Sequence, residues 1–130
     1  NVSGIQSGAL DPANGMFWTW NSGYIFFKLE GNSPISTQPN NKIEYHIGGF
    51  QSATSAIRKF TARLTAPDKW ELGIGQTISF DINISIDRFF TTPFPLKISD
   101  TPVCTTPGEL AGAIADNIGS AFEVTTFEIN

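Results

Sequence analysis

The clearest pattern in the chain is a strict alternation of apolar and polar residues between positions 78 and 87. Five large apolar side chains occupy every other position there: Ile78, Phe80, Ile82, Ile84 and Ile86. A period of two residues indicates a β-strand with one buried and one solvated face. The pattern therefore predicts a central strand whose register is tightly fixed, because a slip of one residue would expose all five groups. On this interpretation Ile82→Asp should prevent folding.

A second alternating segment contains the only histidine of the chain. Between positions 42 and 47 the apolar side chains again occupy every other position: Ile43, Tyr45 and Ile47. His46 therefore lies on the face of the predicted strand opposite the apolar stripe. A histidine that is packed in a core would lie on the apolar face, so this placement favours an accessible site.

Two further segments predict strands, and turn residues separate all of them. Residues 24–29 are apolar on both faces apart from Lys28, which predicts a central strand that is covered on two sides. Residues 56–64 predict another strand, although their periodicity does not exclude a helix. Combinations of Asp, Asn, Ser, Pro and Gly predict turns at four places: 11–15, 31–34, 38–41 and 73–75.

The period changes near the end of the chain. Thr106 as the N-cap and Glu109 at the third helical position, with a proline between them, have the pattern of a capping box. Apolar residues then recur every fourth position: Leu110, Ile114 and Ile118. Gly119 should end this helix, and residues 122–129 predict a last strand.

Together these elements predict a mainly β fold, an antiparallel β-sandwich with one short amphipathic α-helix near the C-terminus. With 130 residues the chain is most simply a single domain over 1–130, long enough to bury a core without disulfides. The one cysteine, Cys104, excludes an internal disulfide. The chain starts with Asn1 rather than Met, so we expect a processed or trimmed chain in which no signal peptide can be read.

Composition excludes several classes of partner. Only 15% of the residues are charged, below the roughly 25% that is usual for soluble domains. The 8 basic residues, against 12 acidic ones, form no cluster with interleaved aromatic residues, so nucleic acid is not an expected partner. No apolar run approaches the roughly 18 residues that a membrane span requires.

The inventory of reactive side chains indicates a binding protein rather than an enzyme. The sequence has no phosphate-binding loop, no nucleophile elbow and no pair of histidines. The soft ligands are a thioether, a thiol and an imidazole, a set that favours Cu(I) over hard cations: Met16, Cys104 and His46. Oxygen ligands near turns are suited to calcium, although their spacing is not that of an EF-hand: Asp11, Asn14 and Glu30.

Trp18 and Trp20 lie one residue apart, just before Tyr24 and the predicted strand that follows. A strand core does not need two indoles, each with an N–H group to satisfy, so the pair could belong to a site. Three interpretations remain open at this point. The aromatic residues could be core packing with His46 as an ordinary surface residue, they could adjoin a metal site, or they could bind carbohydrate or protein from an exposed surface.

Four parts of the chain carry a resemblance to a known family, and the resemblance covers about residues 10 to 127. The first is the most specific, and the first three are Asp11-Pro12-Ala13-Asn14-Gly15-Met16-Phe17-Trp18-Thr19-Trp20-Asn21-Ser22-Gly23-Tyr24, then Lys28-Leu29-Glu30-Gly31, and then His46-Ile47-Gly48. The fourth is a C-terminal run, in which Pro107-Gly108-Glu109-Leu110 leads into Ile114-Ala115-Asp116-Asn117 and then Ala121-Phe122. The chain resembles the MbnP-like family, which comprises periplasmic or surface copper-binding proteins named from methanobactin operons. The resemblance implies a β-sandwich that is exported from a Gram-negative cell. Because family members have several strands before the Asp-Pro turn, we expect those strands to be missing from this sequence.

The resemblance also implies a site chemistry and a partner. In the family a tryptophan can be converted to kynurenine by a dihaem enzyme of the MauG and cytochrome c peroxidase type, and copper then binds near it. The matching positions are Trp18 and Trp20 for the indole and His46 for the histidine. Many relatives carry Met or His near the position of Cys104. The resemblance therefore implies that the Cys104 thiol lines the same site as His46.

Overall fold

The computed structural model describes residues 7–19, 21–51, 53–61 and 73–129. These residues contain six strands, two α-helices and three short 3₁₀ turns. The strands are β1 (Phe17–Thr19), β2 (Gly23–Asn32), β3 (Lys42–Gly48), β4 (Ile78–Ile84), β5 (Val103–Cys104) and β6 (Phe122–Ile129). The α-helices are α1 (Ile86–Thr91) and α2 (Glu109–Ala121), and the 3₁₀ turns are Gly8–Leu10, Pro12–Asn14 and Pro39–Asn41.

The strands form two sheets, one mixed and one antiparallel, so the prediction of a mainly β, antiparallel β-sandwich with one helix is confirmed only in part. One sheet has the order β1-β2-β3-β5, in which β5 runs parallel to β3 and the other neighbours are antiparallel. The other sheet contains only the antiparallel pair β4-β6. In the described residues, helices rather than a second sheet pack on the core face of β3, which makes the fold a mixed α/β arrangement.

The core lies between β3 and the two helices. Tyr45 and Ile47 of β3, Phe89 of α1 and Ile114 of α2 are all fully buried there. Phe89 stacks on Phe27 of β2 with a distance of 5.0 Å between the ring centroids, and its ring meets the Tyr45 ring edge-on at 5.7 Å. Each large apolar side chain buried in this way contributes roughly 1.5–3 kcal/mol, so this cluster holds α1 and α2 against the four-stranded sheet.

The alternating segment that starts at Ile78 forms a strand, but the prediction of a buried inner face is wrong. β4 ends at Ile84, Ser85 caps α1 through a hydrogen bond from the Arg88 N–H, and Ile86 belongs to the helix. The apolar residues of β4 are 39–54% exposed. In the described part of the chain, β4 pairs only with β6.

Two other predicted strands also need correction. β2 forms over the predicted segment and lies between β1 and β3, but it is not covered on both sides because Phe26 is 46% exposed. Residues 56–61 have no regular secondary structure, so the strand predicted there is wrong, and 62–64 lie outside the described residues. In this segment the Arg58 guanidinium donates a hydrogen bond to the Gly112 carbonyl of the C-terminal helix.

The C-terminal helix and strand are confirmed, but the predicted helix ends are not. α2 begins at Glu109 after Gly108, and no side chain caps it, so the capping box at Thr106 is wrong. The helix continues past Gly119 to Ala121. The ring of Phe60 occupies the space that a Cβ at Gly119 would take, so packing rather than helix termination requires this glycine.

The turns predicted at 11–15, 38–41 and 73–75 are present, whereas the turn predicted at 31–34 starts later, because Gly31 and Asn32 still belong to β2. Asp11 caps the first of them, where its side chain accepts a hydrogen bond from the Ala13 N–H, and Gly15 follows with a φ of 72°. Asn40 and Asn41 both have positive φ in the turn before β3. A left-handed backbone is most accessible to glycine and asparagine, which explains why these residue types could be read as turns from the sequence.

Candidate metal site

Adjacent positions of β2 and β3 bring five charged or ionisable side chains onto one face of the larger sheet. The antiparallel register places Lys28 opposite His46 and Glu30 opposite Glu44, with Lys42 one step further along β3. The neighbouring residues of β3, Ile43 and those that alternate with it, point into the core. We call this opposite face, formed by Lys28, Glu30, Lys42, Glu44 and His46, the ionic face.

Three of these side chains form a cluster that could hold a cation. His46 Nε2 lies 2.8 Å from Glu30 Oε1, and the ligand atoms of Glu30, Glu44 and His46 all lie within 4.8 Å of one another. The His46 side chain is only 15% exposed, while Glu30 is 44% exposed. Ligands at about 2.0–2.2 Å from a metal lie at most about 4.4 Å apart, so small side-chain movements would bring all three within bonding distance of one ion.

The charges of the ionic face are balanced in pairs. Glu30 and Glu44 lie directly opposite each other, an arrangement of like charges that destabilises a sheet unless it is compensated. Lys28 Nζ lies 3.4 Å from Glu30 Oε1, and Lys42 Nζ lies 2.7 Å from Glu44 Oε1. The hydrogen bond from His46, together with Lys28, lowers the pKa of Glu30, and Glu44 raises the pKa of Lys42.

Trp18 contacts the strand that carries His46. A Cβ added at Gly48 would lie 3.0 Å from Cζ3 of the Trp18 ring. Gly48 follows His46 by two residues on β3, and residues two apart on a strand lie on the same face. Trp18 is half-buried, whereas Trp20 lies outside the described residues.

The remaining aromatic candidate, Tyr24, serves the fold around the first turn. Its hydroxyl donates a hydrogen bond of 2.7 Å to the carbonyl oxygen of Leu10. Its ring meets the Phe17 ring edge-on with 5.0 Å between the centroids. Tyr24 therefore links the 3₁₀ turn before β1 to β2, and its hydroxyl is used in the hydrogen bond to Leu10.

Cys104 and His46 lie on opposite faces of the sheet. Cys104 pairs with the fully buried Tyr45 in the parallel β3-β5 ladder and is itself only 6% exposed. Burial raises the pKa of its thiol, which disfavours the thiolate that binds metal. Met16 lies just before β1, where its carbonyl accepts a hydrogen bond from the Ile25 N–H, and its side chain is half-buried.

The three oxygen-bearing residues considered for calcium do not form one site. Asp11 caps the first turn, and the Asn14 amide donates hydrogen bonds to the carbonyls of Gly8 and Ala9. Glu30 belongs to the ionic face instead. Among the residues the structure describes, the turn around Asn14 therefore uses its polar side chains to hold its own backbone.

Sequence reasoning placed His46 on the correct side of its strand but did not assign Glu30 and Glu44 to one cluster. The signal was present in the alternation of Lys42, Glu44 and His46 along the predicted strand. What the sequence did not reveal was the register between β2 and β3, which places Glu30 opposite Glu44.

Comparison with protein families identifies the chain. The family model described as MbnP matches residues 1–106, which is more than half of the sequence. The chain belongs to the MbnP family. The ionic face and Trp18 lie within the part of the chain that matches MbnP, whereas α2 and β6 follow it. No curated protein and no solved structure gives a significant match to this MbnP member.

No α-helix in the described part of the chain is both long and apolar enough to cross a bilayer.

Proposed function

We propose that this protein is an exported copper-binding protein of the periplasm or cell surface, and that the cluster of Glu30, Glu44 and His46 holds the metal. The observation that carries the proposal is the meeting of one imidazole and two carboxylates on a single face of an MbnP family member. MbnP proteins are generally non-catalytic copper binders, and we accordingly assign this chain no enzymatic activity.

The chemistry of the cluster fits a copper ion. Imidazole nitrogen and carboxylate oxygen are common ligands of divalent copper, which binds such sites more tightly than other divalent metals of its row. His46 would supply Nε2, the atom that now contacts Glu30. Glu30 and Glu44 would supply oxygen atoms and negative charge, and their half-exposed positions leave a path from solvent.

The experiment that tests this proposal is a copper titration of the His46→Ala variant. We expect a fall in affinity of more than about 100-fold, because loss of a direct ligand should cost more than the 10–100-fold typical of an outer-shell change. Competition with a chelator of known affinity measures the change. Cys104→Ala is the matched control and should leave the affinity unchanged, since its thiol lies on the other face. Equal affinity in wild type and His46→Ala would remove His46 from the site.

The family also supports a modified tryptophan, and the contact with Gly48 favours Trp18 as that residue. A dihaem partner of the MauG type, with peroxide as oxidant, would cleave the C2–C3 bond of the indole. Two H2O2 oxidise the indole to N-formylkynurenine with formation of two water molecules, and hydrolysis then releases formate to leave kynurenine. The product carries an aniline nitrogen and a ketone, so oxidation would turn a hydrophobic side chain that packs over Gly48 into a possible metal ligand.

Peptide mass spectrometry after co-expression with the dihaem partner tests this assignment. We expect one tryptophan, Trp18, to lose one carbon and gain one oxygen, and the change should persist in Trp20→Phe but not in Trp18→Phe. Protein made without the partner should keep its indoles intact. Modification at Trp20 alone would refute the assignment to Trp18, and two intact indoles beside an active partner would exclude the modification.

The alternative function is binding of carbohydrate or protein through Trp18 and Trp20. Sugar-binding tryptophans present a flat, exposed ring, whereas Trp18 is half-buried against Gly48. The contact with the strand of His46 therefore supports the metal-binding proposal more directly.

A further inference from the structure

A polar cavity of about 330 Å³ lies where β3 ends, apart from the ionic face. Its walls come from the turn between β1 and β2, the segment that follows β3 and the proline two residues before α2. We propose that this cavity binds a neutral sugar ring, with Phe50 as the surface on which the ring stacks and the side-chain amides of Asn21 and Gln51 as hydrogen-bonding groups. Its volume lies near the lower end of the roughly 300–1,000 Å³ that is usual for ligand pockets, which suits a single small ligand.

Two glycines shape this cavity. Gly49 has a φ of 105°, and a Cβ at this position would lie 2.8 Å from Cβ of Pro107. Gly23 has a φ of 78°, and a Cβ there would lie 2.9 Å from Cδ1 and Cε1 of the Phe50 ring. Any larger residue would be strained at both positions and would displace a wall of the cavity. The Phe50 ring therefore packs directly on the backbone of Gly23.

Hydrogen bonds join the walls of the cavity. The side-chain nitrogen of Gln51 donates to the carbonyl oxygen of Asn21 at 3.3 Å, which links the segment after β3 to the turn before β2. The Ala56 N–H donates to the carbonyl oxygen of Gly49 at 2.9 Å and closes the loop that carries Phe50 and Gln51. The cavity is therefore formed before a ligand arrives, so binding has less conformational entropy to overcome.

The residues that line the cavity favour a neutral ligand with many hydroxyl groups. Among the described residues none of those in the lining is charged, so an ion would lose hydration there without gaining an ion pair. Four of them carry amide or hydroxyl groups: Asn21, Ser22, Gln51 and Thr54. Amides and hydroxyls donate and accept hydrogen bonds, as sugar hydroxyls do, whereas an apolar ligand would offer them no hydrogen bond.

Phe50 supplies the apolar surface that a sugar ring also needs. It is 42% exposed although its ring packs on Gly23. One side of a pyranose presents C–H bonds, which are attracted to the negative face of an aromatic ring, while the hydroxyl groups at its edge reach neighbouring polar groups. Neither Trp18 nor any residue of the ionic face is among the described residues that line this cavity, so the sugar site is separate from the proposed copper site.

The experiment measures binding of the methyl pyranosides of glucose, mannose, galactose and N-acetylglucosamine to the whole chain. Saturation-transfer NMR detects binding, and a titration followed through the backbone amide signals gives the dissociation constant. The variants are Phe50→Ala, Phe50→Tyr and Gln51→Ala. Phe26→Ala is the matched control, because Phe26 is 46% exposed on β2 and lies outside this cavity. Circular dichroism confirms that each variant folds.

We expect at least one of these sugars to bind with a dissociation constant of roughly 1–10 mM, as is typical of a small ligand in an open site. Phe50→Ala should weaken binding about tenfold or more, because the stacking surface is lost. Gln51→Ala should weaken it roughly two- to tenfold through the loss of one hydrogen bond. Phe50→Tyr, which keeps the ring, and Phe26→Ala should change it less than about twofold.

The amide signals of Gly49, Phe50 and Gln51 should shift during the titration, which locates the sugar without any substitution. No binding of any of the four sugars in a titration to roughly 100 mM would overturn the proposal. Unchanged binding in Phe50→Ala, or shifts confined to residues outside the cavity, would also overturn it. Equal losses in Phe50→Ala and Phe26→Ala would indicate nonspecific contact with exposed rings and would overturn it as well.

Discussion

Asn117→Leu should lower the free energy of unfolding by about 3 kcal/mol, because it leaves one buried and two partly buried backbone groups without their side-chain partner. Asn117 is 0% exposed. Its amide nitrogen donates to the carbonyls of Phe89 and Phe94 at 2.8 and 2.7 Å, and its amide oxygen accepts from the Phe94 N–H at 2.7 Å. One side chain of α2 thus holds the end of α1 and the loop that follows it.

Chemical denaturation followed by circular dichroism measures this effect, and two further variants identify its cause. Asn117→Asp has nearly the same shape but turns a carboxylate toward two carbonyl oxygens, so it should be destabilising as well. Asn83→Leu, at an exposed position of β4, should change the free energy of unfolding by less than about 0.5 kcal/mol. A stable Asn117→Leu protein would show that packing alone fastens α2 to α1.

Ile114→Asp should prevent folding, whereas Ile82→Asp should leave a cooperatively folded protein. Ile114 is 0% exposed on α2, in the same cluster as Tyr45 and Phe89. A carboxylate there would be buried without a partner, which costs several kcal/mol beyond the lost apolar contacts. Ile82 is 48% exposed on β4, so its replacement loses only a cross-strand contact with Val124, worth about 1 kcal/mol or less.

Thermal and urea unfolding of both variants provide the measurement. The pair matches the residue type and the substitution, and its members differ in burial and in the element that carries them, a helix for Ile114 and a strand for Ile82. An unfolded or aggregated Ile82→Asp protein would show that the apolar face of β4 is covered in solution and would restore the interpretation made from sequence. A cooperative unfolding transition in Ile114→Asp would contradict the position of α2 over β3.

Local features were predicted well where a few neighbouring residues decide the structure. The turn at Asp11, the turn at 38–41 and the C-terminal strand all follow from residue types within a short window. Helix ends were predicted less well. Gly119 has the appearance of a stop signal in sequence, but it lies within α2 because the Phe60 ring needs the space.

In the candidate site, too, the local features were predicted from the sequence and the contacts between distant residues were not. Alternation along β3 correctly separated His46 from the apolar stripe, and the family match was read from the residues around Trp18. Cys104 was grouped with His46 because thiol and imidazole share a preference for copper, which is a statement about chemistry and not about position. The ladder between β3 and β5 places Cys104 beside Tyr45 in the core instead.

By itself the sequence determined the family, most of the strands, the C-terminal helix and the face on which His46 lies. Only the tertiary structure decided which apolar faces are buried and which polar side chains meet. The segments around Tyr45 and around Ile82 have the same two-residue period, yet one is core and the other is exposed. Periodicity defines the two faces of a strand through local backbone geometry. Burial depends on what the rest of the chain places against each face, and here α2 covers β3.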